Sequence, residues 1–236
     1  MRALITRPEY DSNATAEELR SRGIDCVIAP LLFIENKKPE ISLSGVQALV
    51  FTSANGVRAF AEASPERGLP VFCVGAASAR SAREAGFGNV ESANGDVAAL
   101  AGLVGEKLEP ESGALLHIAG QTVAGDLQGS LQKKGFLVAR TVLYEALLVN
   151  SLPDNAKTAL TQGALEAALF FSPRTADAFV RLVLEASLGP ACGKLRAYAL
   201  SEAVARALGG LPWRGIRTAT RPEADSLFAL LEEDRV

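Results

Sequence analysis

Two stretches of the sequence, "LVFTSANGVRAF" (49–60) and "LFFSPRTADAF" (169–179), follow one pattern and decide the fold. In each, an apolar run ends in polar side chains and passes directly into a segment with helical periodicity. Each copy is followed by a short apolar run and a helix start rich in small residues, "CVGAASARSAREAGF" (73–87) and "YALSEAVARALGGL" (198–211). A pattern repeated within one chain indicates two similar structural units.

Apolar runs and helix-period segments alternate along the whole chain. Most of the apolar runs lack strict alternation, as expected for parallel strands that are covered by helices on both faces. The pattern predicts an α/β fold with two similar parallel-sheet domains. The predicted strands are 2–6, 25–34, 46–52, 70–74, 88–92, 114–118, 136–144, 165–171, 195–199 and 215–219, and the predicted helices are 10–22, 55–65, 76–86, 96–109, 122–134, 174–187, 202–210 and 222–233.

Two polar, proline-containing stretches, "IENKKPEIS" (34–42) and "LVNSLPDNAKT" (148–158), have the composition of linkers. The segment before the first of them is too short to bury a core alone, so it must pack with the C-terminal part. We therefore predict a discontinuous first domain, 1–36 plus 150–236, and a second domain, 37–149. Two chain crossings between domains predict a cleft that opens and closes around a ligand.

Composition excludes several classes of function. A net charge of −3 over 236 residues gives no reason to expect nucleic-acid binding. Three widely spaced cysteines, Cys26, Cys73 and Cys192, form neither a disulfide framework nor a zinc motif, and we expect reduced thiols. The longest apolar run, "VIAPLLFI" (27–34), is too short to span a membrane, and the N-terminus lacks a secretory signal pattern. We expect a cytoplasmic monomer without a membrane partner.

Familiar cofactor and hydrolase motifs are missing, and no metal site is predicted. The segment "GQTVAGD" (120–126) has P-loop glycine spacing but places Asp126 where a phosphate-binding lysine belongs. The single histidine, His117, lies inside the apolar run "ALLHIA". A packed or hydrogen-bonded histidine is expected there more often than a catalytic one.

Hydroxyl, amide and guanidinium side chains recur where strands end and helices begin. Helix N-termini present unpaired N–H groups that suit carboxylates or phosphates, and ligands of open α/β sheets bind at this edge. For any single residue, helix capping or a solvated arginine is the simpler interpretation. As a symmetric set these residues favour an anion-binding cleft. The set is Ser53, Asn55, Arg58, Ser78, Ser172, Arg174, Thr175 and Ser201, with Arg7 after the first strand.

The ordered motifs "LITRPE", "VFTSANGVRAF", "FCVGAASARSAREAGF", "TVLYEA", "ALFFSPRTADAF" and "ALSEAVARAL" resemble those of the uroporphyrinogen-III synthases over residues 3 to about 231. The resemblance implies a two-domain α/β enzyme of tetrapyrrole and haem biosynthesis. It implies a linear tetrapyrrole substrate, hydroxymethylbilane, which loses water and closes into uroporphyrinogen III with its last ring inverted. It implies no metal or organic cofactor.

The resemblance also suggests roles for individual residues. Tyr144 matches a tyrosine that the family places near the reacting end, although a tyrosine there is also ordinary core filler. The expected substrate-binding residues are Thr6, Arg7, Ser53, Asn55, Gly75, Ser78, Gly120, Ser172, Arg174 and Ser201. Two alternatives stay open from sequence: a two-lobed binding protein for an anionic small molecule without catalysis, and a regulatory module that has lost activity.

Overall fold

The computed structural model describes residues 1–123 and 125–235 and contains two compact α/β units. The first unit comprises residues 1–33 and 147–236, and the second comprises residues 34–146. The strands are β1 Arg2–Ile5, β2 Asp25–Ile28, β3 Leu32–Asn36, β4 Val46–Phe51, β5 Val71–Cys73, β6 Val90–Ser92, β7 Ala114–Gly120, β8 Val138–Leu148, β9 Ala167–Phe170, β10 Arg196–Ala199 and β11 Gly215–Thr218. The helices are α1 Glu9–Ser21, α2 Ala54–Ala63, α3 Ala76–Glu84, α4 Val97–Lys107, α5 Leu127–Gln132, α6 Asp154–Thr161, α7 Pro173–Glu185, α8 Glu202–Ala207 and α9 Ala224–Glu233.

The first unit is built on a five-stranded sheet in the order β11-β10-β9-β1-β2. Its paired strands are parallel. Along β9, Ala168 and Phe170 enter one apolar cluster, and Ala167 and Leu169 enter another on the opposite face. Because both faces are buried, the strand shows no polar alternation, which confirms the α/β prediction for this unit.

The second unit is built on a six-stranded sheet in the order β3-β8-β7-β4-β5-β6. The strands from β8 to β6 pair in parallel. Leu49 and Phe51 of β4 enter one cluster, and Ala48 and Val50 enter the other. This unit therefore has the same two-faced construction, and the two-domain parallel α/β class is confirmed.

The chain passes between the units in β3 and β8, which are neighbours in the second sheet. Lys37 N donates to Leu143 O at 2.7 Å, and Val149 N donates to Leu31 O at 3.1 Å. As one segment runs from residue 31 to residue 37, its partners run from residue 149 back to residue 143, so the two segments pair antiparallel. The two crossing segments are thus held together by backbone hydrogen bonds.

Three sequence-based assignments are corrected by the structure. The predicted strand 25–34 is two strands, because Ala29 and Pro30 interrupt it and proline has no N–H for a ladder. The predicted linker 148–158 contains most of the first turns of α6, whose Ala156, Ala159 and Leu160 are buried. Helix α5 is shorter than the predicted 122–134 and begins after Asp126, whose carboxylate accepts from Gly129 N.

In the described ranges no helix combines the length and the apolar character needed to cross a membrane.

Candidate functional site

The polar end of β4 presents hydrogen-bond donors in the second unit. Ser53 caps α2 by accepting a hydrogen bond from Asn55 N at 3.1 Å. Within the described residues its hydroxyl hydrogen has no acceptor, so capping leaves this donor available. The amide oxygen of Asn55 accepts from Arg58, which leaves the amide NH₂ directed to other partners. Both predicted site residues therefore combine a structural bond with donor capacity at the start of a helix.

Helix α3 begins without a side-chain cap. Gly75 occupies the cap position, and the first residues of the helix, Ala76 and Ala77, are exposed. A Cβ at Gly75 would meet no atom within 4 Å, so crowding does not require glycine here. The arrangement leaves the first backbone N–H groups of α3 accessible, which suits an anion. Ser78, one turn later, is only 4% exposed and faces the interior of the unit.

Tyr144 packs closely against Gly120 at the end of β7. They are register partners across β7 and β8, next to an irregularity between Ala119 and Gly120. A Cβ on Gly120 would lie 2.8 Å from Tyr144 Cζ and 3.1 Å from its hydroxyl oxygen, closer than side chains tolerate. Glycine is therefore required for the ring to lie against the backbone. Tyr144 is 8% exposed and packs in an apolar cluster of the second unit, with its hydroxyl oxygen close to Gly120, the last residue of β7.

His117 lies on β7, three residues before Gly120, and is 3% exposed. Its Nε2 is 3.4 Å from Thr52 Oγ1, and its Nδ1 has no hydrogen-bond partner. Burial, with the nearby Arg140 guanidinium, lowers the pKa of His117 to about 4. A buried unpaired N–H is rarer than an unpaired acceptor, so we assign the proton of the neutral ring to Nε2, which donates to Thr52. The packed, hydrogen-bonded histidine expected from the sequence is what the structure contains.

In the first unit, Ser172 caps α7 and its hydrogen-bonding capacity is used locally. Its Oγ accepts from Thr175 N at 3.2 Å and lies 2.8 Å from Thr175 Oγ1. Because Thr175 Oγ1 donates to Ser172 O, the hydroxyl hydrogen between the two side chains belongs to Ser172. This serine therefore both donates and accepts within its own cap, unlike Ser53.

Thr6 and Arg7 follow β1 and are held by neighbouring elements. Thr6 is 1% exposed and donates from Oγ1 to Leu169 O at 3.1 Å, which ties the ends of β1 and β9 together. Arg7 donates to Thr15 Oγ1, lies 3.4 Å from Asp11, and stacks its guanidinium 4.4 Å from the Phe171 ring centroid. These contacts fix the Arg7 side chain at the end of the strand.

The last two predicted residues lie at helix starts of the same unit. Ser201 caps α8 by accepting from Val204 N at 3.5 Å, the longest of the serine caps described. Arg174 is exposed in the first turn of α7. Since α8 has only six residues, its N-terminus contributes a weaker dipole than α7. Substrate contact by any of these predicted residues stays a prediction.

Sequence reasoning missed three polar features at the strand ends of the second unit. Thr52 receives the His117 hydrogen bond, and its position directly after β4 was the available signal. Lys37 forms an ion pair with Glu145 at 2.7 Å, which joins the two crossing strands. Arg140 donates to Gly120 O at 2.7 Å and to Gln121 O at 3.1 Å, so it fixes the turn after β7. The Lys37–Glu145 ion pair and the Arg140 hydrogen bonds exist because particular strands are neighbours in the sheet. Strand order cannot be predicted from the residues next to them in the sequence.

The described residues contain no group of three or more histidine, cysteine or acidic side chains able to hold a metal ion. All three cysteines are free, and Cys73 and Cys192 are buried. Burial raises the pKa of the Cys73 thiol to about 12 and that of Cys192 to about 11, so these thiols are poor nucleophiles.

A family model described as uroporphyrinogen-III synthase HemD matches residues 13–229. The chain belongs to the uroporphyrinogen-III synthase family. This confirms the resemblance seen in the ordered sequence motifs. No significant match was found among curated protein sequences.

Solved structures of uroporphyrinogen-III synthases share the fold. The enzyme from Helicobacter pylori has 19% identity and a TM-score of 0.64, with all of both chains covered. A mutant of the Thermus thermophilus enzyme has 19% identity and a TM-score of 0.51, covering 100% of this chain and 97% of the other. At this identity the likeness supports the fold of this uroporphyrinogen-III synthase family member and says nothing about single residues.

Proposed function

We propose that this chain cyclises hydroxymethylbilane to uroporphyrinogen III, with loss of one water and inversion of the last pyrrole ring. The observation that carries the proposal is the family match across residues 13–229, which includes both α/β units. The reaction is redox-neutral: one C–O bond breaks, two C–C bonds form and one C–C bond breaks as the last ring inverts, and a proton from the unsubstituted carbon of that ring leaves with the hydroxyl group as water. This balance needs no external oxidant or reductant, and we propose a cofactor-independent mechanism.

The substrate carries eight carboxylates, and the strand ends supply donors for them. In the second unit we assign this role to the hydroxyl of Ser53, the amide of Asn55 and the backbone N–H groups that follow Gly75. Backbone N–H groups and neutral side-chain donors can bind many carboxylates, and they do not require many unpaired arginine or lysine charges to lie close together in the empty site. In the first unit the N-terminal turn of α7, with Arg174, is the corresponding region.

Tyr144 is the residue that we propose contacts the reacting end. Loss of the hydroxyl group leaves a cationic azafulvene, and a hydrogen bond to the departing oxygen lowers the barrier to that loss. The ring of Tyr144 packs against Gly120, and this packing restricts where its hydroxyl oxygen can lie. Gly120 acts by leaving room for this ring. Attack on the substituted carbon, through a spiro intermediate, then depends on how the first and last rings are held.

The remaining predicted residues are assigned positioning roles. Thr6 fixes the ends of β1 and β9, and Ser172 completes the cap of α7 through Thr175. Their hydroxyl hydrogens are already donated, so we propose that substrate contacts here are made by backbone N–H groups. Arg7 and Ser201 lie at the ends of β1 and β10 in the first unit, and Ser78 lies in the first turn of α3 in the second unit. We propose that the protein acts as a monomer in the cytoplasm and binds no nucleic acid.

A Tyr144→Phe variant, with Tyr198→Phe as the matched control, tests the proposal. Both changes remove one phenol oxygen, but the Tyr198 hydroxyl donates to Asp234 at 2.7 Å, away from the strand ends. Consumption of hydroxymethylbilane by the wild type is expected to be catalytic, with kcat reduced about tenfold or more in Tyr144→Phe only. Stoichiometric binding without turnover by the wild type would instead support the two-lobed binding protein. Equal kcat in both variants would remove Tyr144 from the mechanism.

A further inference from the structure

A polar groove runs along the free edge of the first sheet, apart from the strand ends assigned to the substrate. Its volume is about 520 Å³, within the range of small-molecule sites. Strand β2 is the edge strand, and helices α1 and α6 pack against it. The lining side chains with polar atoms come from all three elements and from the start of β1: Arg2, Arg20, Cys26, Asn155, Thr158 and Gln162.

The charged side chains that line this groove are positive, and the nearby carboxylate of Asp25 adjoins Cys26 without lining it. Arg2 and Arg20 are both exposed, and their guanidinium groups have no ion pair or hydrogen bond with any residue in the described part of the chain. No carboxylate lines the groove. Arg22, close by at the end of the same helix as Arg20, is in contrast paired with Glu18 and Glu232. Two free guanidinium groups can each take a carboxylate or phosphate oxyanion in bidentate geometry.

The backbone of the edge strand adds donors. Asp25 N and Ala29 N donate to Met1 O and Ile5 O of the neighbouring strand, at 3.1 and 2.9 Å. By the alternation of a parallel ladder, the N–H groups of Cys26 and Ile28 point to the free edge. Asn155 Nδ2 donates to Ile28 O at 2.7 Å and occupies that outward carbonyl. An added peptide strand needs this carbonyl as an acceptor, so the edge favours an anion over an extended peptide.

We propose that this groove is a second binding site, for a small organic or inorganic polyanion with two or more carboxylate or phosphate groups. Arg2 and Arg20 bind the anionic groups, and Thr158 and Gln162 supply neutral hydrogen bonds. Each lining residue belongs to the first unit, so the site is complete within it. It shares no residue with the substrate donors proposed at Ser53 and Tyr144.

Cys26 is a built-in reporter for this site. It is half-buried and lines the groove, whereas Cys73 and Cys192 are buried, so a thiol reagent should modify Cys26 first. The experiment measures the rate of Cys26 modification by 5,5′-dithiobis(2-nitrobenzoate) against increasing pyrophosphate and, separately, citrate. Potassium chloride at matched ionic strength is the reference. Saturable protection by at least one of the two anions, beyond that of chloride, is the expected result.

Matched charge variants locate the effect. Arg2→Gln and Arg20→Gln should each weaken protection at least about tenfold, because each removes a charge-assisted bidentate contact. Arg214→Gln removes an equally exposed arginine of the same unit that does not line the groove, and it should leave protection unchanged. Ser53→Ala should also leave it unchanged, which separates this site from the substrate site.

Protection by pyrophosphate alone assigns a phosphate ligand, and protection by citrate alone assigns a carboxylate ligand. Protection no greater than with chloride, or retained in both groove variants, overturns the proposal.

Discussion

Mild acid is expected to destabilise this protein through one side chain, His117. The pKa of the buried ring is lowered from its ordinary value of 6.5 to about 4, first by burial and then by Arg140. Between these two values the unfolded chain binds the proton and the folded chain does not, so stability is full above pH 6.5 and falls as the pH drops toward 4. At about 1.4 kcal/mol per pKa unit, the loss is about 2 kcal/mol by pH 5 and about 3 kcal/mol once the ring is fully protonated.

The assay uses the fact that the chain has a single histidine. Its imidazole C–H signals in a proton NMR titration need no assignment, and they are expected to move with a pKa near 4. Urea unfolding of the wild type and of His117→Gln, at pH 7 and pH 5, then measures the linked stability. The variant keeps an amide near Thr52 but cannot titrate, so the wild type should lose about 2 kcal/mol more than the variant over this range. A histidine that titrates near 6.5, or equal losses in both proteins, would refute the buried, uncharged state.

Four further substitutions separate binding from folding. Ser53→Ala and Ser172→Ala should each cost about 1 kcal/mol of stability as lost helix caps, but only Ser53→Ala should raise KM, because only its hydroxyl hydrogen is free. Gly120→Ala should lower kcat about as much as Tyr144→Phe, since the new Cβ displaces the Tyr144 ring; unchanged kcat would contradict this packing. Asp234→Asn should lower the free energy of unfolding by about 2 kcal/mol with activity retained, because this 14%-exposed carboxylate accepts from three side chains.

Helix caps and buried strands could be predicted from the sequence because both depend on residues that are close together along the chain. Ser53 and Ser172 directly precede helices, and each accepts the hydrogen bond that its sequence position predicts. The apolar run at residues 46–51 is buried on both faces, as its lack of alternation indicates. Family membership followed from the order of such motifs, since no single motif was specific.

The features that could not be predicted from the sequence depend on contacts between segments that are distant along the chain. The polar, proline-containing sequence of residues 148–158 predicts a linker where α6 begins, but Ala156 and Leu160 are buried in the core of the first unit. The tight contact of Gly120 with Tyr144 exists only because β7 and β8 are neighbours with an irregular register. The unpaired state of Arg20 likewise depends on which carboxylates the fold brings near it. Such pairings are tertiary and leave no local pattern.

The isomer composition of the product tests the central claim most directly. Freshly made hydroxymethylbilane is supplied to the purified protein, the products are oxidised, and the type I and type III uroporphyrins are separated and quantified. Spontaneous closure, in a parallel sample without protein, gives type I. The account predicts that the fraction of type III uroporphyrin rises with the amount of protein until type III is the major product. A product that stays type I at every protein concentration would contradict it.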